Sequence, residues 1–132
     1  MTLTHSIVSS VILRNMRTTP NFTRGDGLVP TDVALRLVSG ESIVGTYRDP
    51  ANDRSSLVFT DVALYVVEDR QLRRIAWADI VGYESPPKSD TRGIELRTAT
   101  GHEFVPIAGS SGPEGKFKDA FHLAMVLRSL LG

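Results

Sequence analysis

Hydrophobic and polar residues alternate through the middle of the chain, and this period of two is typical of half-buried β-strands. Turn residues interrupt the alternation in the loop 49–54 (DPANDR), at Thr60-Asp61 and at Thr100-Gly101. Between the turns the pattern predicts seven strands, at 42–48, 57–59, 62–67, 71–76, 80–84, 93–99 and 102–107. The middle of the chain is therefore expected to form a meander of short strands.

Three other segments have the spacing of helices. Near the C-terminus, Pro113 fits the first helical position after a cap at Ser111 or Gly112. The apolar face of that helix is expected to consist of Phe117, Ala120, Phe121, Ala124, Leu127 and Leu131. A second amphipathic helix is indicated by Ile7, Val8, Val11, Ile12 and Met16. Thr31-Asp32 can cap a short helix over 33–38, for which a strand is the alternative.

The first 30 residues differ in composition from the rest of the chain. Residues 1–25 contain Arg14, Arg17 and Arg24 and no acidic residue, which resembles the composition of a transit peptide. Two interpretations stay open: a targeting or membrane-surface segment, and a helix that packs on the core or binds a partner. Residues 18–30 are rich in Thr, Gly and Pro and predict a connector. We therefore divide the chain into an N-terminal helix and connector, 1–30, and a main domain, 31–132.

Composition narrows the function classes. The 132 residues fit one core, and the 15 basic residues are balanced by 15 acidic ones. This balance argues against nucleic acid as a partner. The chain contains no cysteine, so disulfides, thiolate nucleophiles and cysteine metal ligands are excluded. No apolar stretch has the length of a membrane-spanning helix. These features predict a cytoplasmic protein.

Two stretches resemble a known family. The segment LVFTDVALYVV is similar to the strand, Thr-Asp turn and strand of GRAM and bacterial PH-like domains, and RRIAWADIVGYE is similar to the basic strand that follows. The similarity to the pleckstrin-homology superfold extends over about 39–131. It implies a mainly β (α+β) fold, a seven-stranded split barrel capped by the C-terminal helix, here with an extra N-terminal helix.

The resemblance also implies roles for individual residues. Trp77 would bury its ring at a corner between the two sheets, and Asp79 would bind backbone N–H groups of that turn. Phe117 and Phe121 would fill the volume that a tryptophan of the C-terminal helix usually occupies in such domains.

Catalytic and metal-binding motifs do not withstand inspection. The glycine-rich stretch 109–116 lacks the spacing of a phosphate-binding loop, and Pro113 removes one of its N–H donors. The histidines His5, His102 and His122 have no carboxylate at a metal-ligand spacing. We therefore expect no enzymatic activity, no cofactor and no metal.

Arginines are the remaining candidates for recognition. Arg70, Arg73 and Arg74 form the densest basic cluster, and Arg48 and Arg54 flank the first loop. Because strand residues alternate in direction, Arg73 and Arg74 must lie on opposite faces, so one of them faces inward or lies along an edge.

The sequence thus favours a non-enzymatic PH-like interaction module. Such a module would bind a protein partner or itself through a sheet edge and a groove beside the C-terminal helix. The alternative is a peripheral adaptor on an anionic lipid surface, in which Arg14, Arg17 and Arg24 contact the lipid.

Overall fold

In a computed structural model of the protein, residues 4–25, 29–49, 52–69, 71–84, 92–107 and 115–131 are described. The helices are α1 (His5–Met16), α2 (Thr31–Ala34) and α3 (Gly115–Leu131). The strands are β1 (Phe22–Arg24), β2 (Ile43–Asp49), β3 (Asn52–Thr60), β4 (Ala63–Glu68), β5 (Gln71–Ala76), β6 (Ile80–Glu84), β7 (Gly93–Thr98) and β8 (Gly101–Pro106).

The strands form two antiparallel sheets. Sheet A has the order β1-β2-β3-β4-β5, and sheet B has the order β6-β7-β8. A single 3-10 turn, Trp77–Asp79, carries the chain from β5 in sheet A to β6 in sheet B. The predicted α+β class, mostly β with a C-terminal helix, is confirmed. Within the described residues the two sheets stay separate, so no closed barrel is formed.

The strand count corrects the sequence prediction, because the described residues contain eight strands rather than seven. The additional strand, β1, lies in the segment that was predicted to be a connector. It forms because the Phe22 ring packs across Gly45, where any Cβ would collide with it, and meets the Phe59 ring edge-on at 5.7 Å. The loop predicted at 49–54 is also shorter, since β3 already begins at Asn52.

Helix α1 contributes to the same core as the two sheets. Thr4 caps it by accepting a hydrogen bond from the Ile7 N–H. Its buried residues are Val8, Val11, Ile12 and Met16, which join the main hydrophobic cluster. Because α1 also packs against α3, its apolar face is already covered by protein. Among the helices of the described residues, none is long and apolar enough to cross a membrane.

The buried face of α3 differs from the predicted one. It is formed by Ala120, Leu123, Ala124, Val126, Leu127 and Leu130. Phe121, which was expected in the core, is 50 % exposed, and Phe117 is half-buried. A different face of α3 is buried because the helix also packs against α1. In the turn that follows α1, the Thr19 hydroxyl lies 2.7 Å from Nδ1 of His122. On the same side the buried Asp119 accepts a hydrogen bond from the Tyr47 hydroxyl at 2.5 Å.

A segment before β2 covers the outer face of sheet A. Val33 of α2 packs with Val58, Ala63 and Tyr65 in a second, smaller hydrophobic cluster. The helix predicted at 33–38 is shorter and starts earlier, at Thr31–Ala34. The following residues leave the helix and return to the sheet, where the Glu41 N–H donates to the Val38 carbonyl.

Candidate functional site

A polar concavity lies beside the corner between the two sheets. The Trp77 side chain is 2 % exposed, donates its Nε1–H to the Thr60 carbonyl at 2.8 Å and stacks on Phe59 at 6.1 Å. The Asp79 side chain is exposed, and its backbone carbonyl accepts from the Ala99 N–H at 3.3 Å. The contact from Asp79 to the neighbouring hairpin is therefore made by its backbone.

Arg73 joins the edge of sheet A to the edge of sheet B. Its guanidinium donates to Glu103 at 2.6 Å and to the Phe104 carbonyl at 2.7 Å, both on β8. It also donates to Glu68 at 2.9 Å. The seam between β5 and the β7–β8 hairpin is thus held at one end by Arg73 and at the other by the Asp79–Ala99 hydrogen bond.

Between these two contacts the seam opens into a cleft of about 180 Å³, which we call the seam cleft. One wall is formed by β5, the other by the corner and the β7–β8 hairpin. The lining residues are Arg74, Ile75, Asp79, Thr98, Ala99, Thr100 and Glu103.

Arg74 is held in place by a buried polar network. Its Nε donates to the Tyr65 hydroxyl at 3.0 Å, and its guanidinium carbon lies 5.7 Å from the centre of the Tyr65 ring. Its Nη2 lies 3.6 Å from Glu41, whose side chain is 0 % exposed. Tyr65 and Arg74 are direct partners in the β4–β5 register, so the sheet itself fixes this contact.

Glu41 keeps its charge although it is buried. Burial alone raises the pKa of this carboxyl, but the hydrogen bonds from Thr60, the Val38 N–H and Tyr65, together with the charge of Arg74, outweigh it and lower the pKa. Burial likewise opposes the charge of Arg74, yet Tyr65 and Glu41 raise its pKa. The pKa of Tyr65 is raised, first by burial and then by Glu41. The network is therefore an ion pair bridged by a neutral phenol.

The sequence indicated only part of this site. Alternation in β5 predicted that Arg73 and Arg74 point in opposite directions, and the structure gives both of them carboxylate partners. Glu41 was not singled out. A signal was present, because Glu41 is the acidic residue between a turn glycine, Gly40 with φ of 83°, and the first strand of the meander. Its partners are distant in sequence, so the pairing itself carried no local signal.

Of the other predicted arginines, Arg14, Arg17 and Arg48 are not among the residues that line the seam cleft. Arg14 and Arg17 are exposed on and just after α1, and Arg48 lies on β2. Because β2 and β5 are separated by two strands, Arg48 is roughly 14 Å from β5 by strand spacing alone. Arg70 and the side chain of Arg54 lie outside the described residues. The described arginines of this set therefore do not add to the lining of the seam cleft.

A second, smaller concavity of about 110 Å³ lies beside the N-terminus of α1. There Nδ1 of His5 is 3.0 Å from the buried carboxylate of Asp61, which also accepts the Ser42 N–H at 2.8 Å. Val8, Val62, Trp77 and Ala78 complete the lining. This contact attaches the start of α1 to the turn between β3 and β4.

The lining of the seam cleft presents a guanidinium residue, two carboxylate residues and two threonines, all of which can hydrogen-bond to a ligand. Within the part of the chain that the structure describes, no three His, Cys, Asp or Glu side chains come together as a metal site. In comparisons with known proteins, no family model, no curated protein and no solved structure matches this chain.

Proposed function

We propose that this protein is a non-enzymatic, PH-like interaction module that binds a protein partner by taking one of the partner's side chains into the seam cleft. The observation that carries the proposal is the cleft itself, with the edge strand β5 as one wall and Arg74, which Tyr65 and Glu41 hold in place, among the residues of that wall. The edge of sheet A and the cleft that would bind the partner's side chain thus lie side by side on β5.

The size of the cleft supports a side chain as its ligand. Pockets for cofactors and drug-sized ligands have roughly 300–1,000 Å³. The seam cleft, at about 180 Å³, is smaller than these. A water molecule occupies about 30 Å³ in the liquid, so the cleft has the volume of a few waters or of one long side chain. Protein interfaces commonly gain their affinity from such single anchors.

The other strand edges of the described residues are less suited to docking. β1 is three residues long. β6 carries an irregularity between Ile80 and Gly82, and bulges of this kind block further strand pairing. β8 already binds Arg73 of sheet A. The groove beside α3 receives less support than the cleft, because α1 packs against that helix.

The packing of α1 also bears on the lipid alternative. Lipid-surface helices insert an apolar face into the interface. Here that face, formed by Val8, Val11, Ile12 and Met16, lies in the protein core. Arg14 and Arg17 could meet an anionic surface only as exposed charges, without apolar insertion, which makes the protein-binding proposal the better supported of the two.

The proposal can be tested by filling the cleft. A photo-crosslinking residue at Thr100 would identify the partner in the native host, and the purified partner would then be titrated against Ala99→Phe by calorimetry. Because the new ring occupies the space of the anchor, we expect at least a tenfold loss of affinity, on the order of the 1.4 kcal/mol or more that an anchor contributes.

The matched control is Ser10→Phe, which adds a phenyl ring to an exposed position on α1. It should bind as the wild type does. If Ala99→Phe folds normally and keeps full affinity for the cross-linked partner, the partner does not use the cleft and the proposal is wrong.

A further inference from the structure

We infer that the side chain taken into the seam cleft is cationic, a lysine or arginine of the protein partner. This inference rests on the proposed function and adds the chemical class of its ligand. It is carried by the charges and hydrogen-bonding groups of the lining residues.

The basic groups at the cleft are already neutralised by protein. Arg74 lies beside the fully buried carboxylate of Glu41 at 3.6 Å. Arg73, just outside the cleft, contacts two carboxylates, Glu68 at 2.9 Å and Glu103 at 2.6 Å. The ion pairs of this region therefore use one more carboxylate than they have arginines.

Asp79 adds a further negative charge to the lining. Its side chain is exposed and lines the cleft. The ion pairs found here among the described residues involve Arg73 and Arg74 but not Asp79. The lining carries two carboxylate residues, Asp79 and Glu103, and one arginine, Arg74. With the described ion-pair partners Arg73, Glu41 and Glu68 added, four carboxylates stand against two arginines, and this excess of negative charge attracts a cation and repels an anion.

The hydroxyl groups of the lining point to the same class of ligand. The Thr98 hydroxyl donates to the Gly101 carbonyl at 3.2 Å, so its proton is used and its lone pairs can accept a hydrogen bond. It also lies 3.5 Å from the Thr100 hydroxyl. Together with the Asp79 carboxylate, these oxygens form a wall rich in acceptors, and ammonium and guanidinium groups carry only donors.

The remaining lining fits the stem of such a side chain. Ile75, whose side chain belongs mostly to the main core and stays 4 % exposed, and Ala99 are the apolar residues of the lining. Lysine and arginine bury their methylene groups along apolar surface while the charged end reaches polar atoms. A glutamate or phosphate in the same place would find Arg74 already paired and would face Asp79 and Glu103.

The test uses blocked tripeptides as probes, acetyl-Gly-Lys-Gly-amide and acetyl-Gly-Arg-Gly-amide, with acetyl-Gly-Glu-Gly-amide as the comparison. Amide chemical shifts of the whole protein are followed by NMR at low ionic strength. We expect saturating shifts at Ile75, Asp79 and Thr98–Thr100 with the cationic probes, with dissociation constants in the millimolar range and weaker binding at higher salt.

The decisive variant is Asp79→Asn, which removes the charge and keeps the shape. It should weaken the lysine probe about fivefold, as expected for one ion pair in a solvated cleft. Asp32→Asn, at an exposed position on α2, is the matched control and should bind as the wild type does. Stronger shifts with the glutamate probe, or cationic probes that leave the cleft amides unmoved, would overturn the inference.

The two proposals can fail separately. If Ala99→Phe abolishes binding of the partner while Asp79→Asn does not weaken it, the cleft is the docking site and its ligand is not cationic. If the lysine probe binds the cleft but the partner is indifferent to Ala99→Phe, the ligand class stands and the proposed function is wrong.

Discussion

Within the part of the chain that the structure describes, the outer face of sheet A is covered by a second layer of chain, whereas the outer face of sheet B is covered only by its own side chains. On sheet A, the segment 29–42 lays down the small cluster of Val33, Val58, Ala63 and Tyr65, and buries Glu41. On sheet B, the row Gly82, Arg97 and His102 and the row Glu84, Glu95 and Phe104 face outward.

Two glycines show how sheet B is protected. The Arg97 guanidinium lies where a side chain at Gly82 would be, and the Phe104 ring lies where one at Gly93 would be, so added Cβ atoms would collide with both. Phe104 nevertheless stays 43 % exposed. A diagonal aromatic over a glycine is a known way to restore contacts that the glycine lacks. Among the described residues, the outer face of sheet B is thus covered by its own side chains rather than by a second layer of chain.

The seam cleft lies between the sheet that a second layer covers, sheet A, and the sheet that is covered by its own side chains, sheet B. Its β5 wall belongs to the doubly covered sheet, so Arg74 is fixed from behind by Tyr65 and Glu41. Its opposite wall belongs to the singly layered sheet and ends in the Thr98–Gly101 turn. The β5 wall therefore depends on polar groups that are distant in sequence, Glu41 and Tyr65, whereas the hairpin wall depends on contacts between neighbouring residues of one hairpin.

The largest difference in stability is expected between alanine variants of two glutamates, Glu41 on the outer face of sheet A and Glu95 on the outer face of sheet B. Glu41→Ala removes a carboxylate with four partners and leaves Arg74, Tyr65 and Thr60 without their common acceptor. Breaking a fully buried ion pair costs about 3–5 kcal/mol of stability. Because the Arg74 side chain is still 31 % exposed, water can solvate part of its charge, and we expect the free energy of unfolding to fall by about 2–3 kcal/mol. Urea denaturation followed by tryptophan fluorescence measures this loss.

Glu95→Ala is the matched control on sheet B. Glu95 is 42 % exposed and lies 3.6 Å from His102, so its removal should change stability by less than about 0.5 kcal/mol. Equal losses for the two variants would mean that the Glu41 network contributes nothing beyond an ordinary surface pair.

A smaller effect is expected from Phe104→Ala on sheet B. The Phe104 ring packs over the backbone of Gly93 on the neighbouring strand. Cross-strand pairs of this kind contribute about 0.2–1 kcal/mol to stability, so we expect the free energy of unfolding to fall by an amount near the upper end of that range. Phe121→Ala on α3 is the control, because Phe121 has a similar exposure of 50 % and lies against none of the glycines for which the structure describes neighbours. Should both variants lose the same stability in thermal melts, the contact with Gly93 is not a stabilising pair.

The sequence predicted the elements whose ends are set by local residues. The strands at 71–76 and 80–84 were placed with their observed bounds, because the turns at 69 and at Trp77–Asp79 stop them. β1 was missed because Phe22 becomes part of a strand only through Gly45 and Phe59, which are more than 20 residues away. Phe121 was misplaced because helical spacing does not reveal that α1 is a second neighbour of α3.

The site shows the same limit. Strand alternation indicated that Arg73 and Arg74 diverge, and this followed from the backbone alone. Their acceptors Glu103 and Glu41 come from the last hairpin and from the segment before β2, so only the assembled sheets bring them together. What local physics determines could be predicted, and what depends on packing between distant segments could not.

The smallest expected effect is a change with pH in the stability that Glu41 contributes to the outer face of sheet A. The pKa of Glu41 is lowered in the folded protein, so its contribution to stability is fully present above the ordinary glutamate pKa of about 4.3 and is lost as the pH falls through the lower folded value. The difference in free energy of unfolding between the wild type and Glu41→Gln should therefore narrow below that pH. Since the surrounding hydrogen bonds from Thr60, Tyr65 and the Val38 N–H set the shift, Tyr65→Phe should move the narrowing to higher pH. A difference between wild type and Glu41→Gln that is constant between neutral pH and pH 3 would show that Glu41 is not held as a charged group.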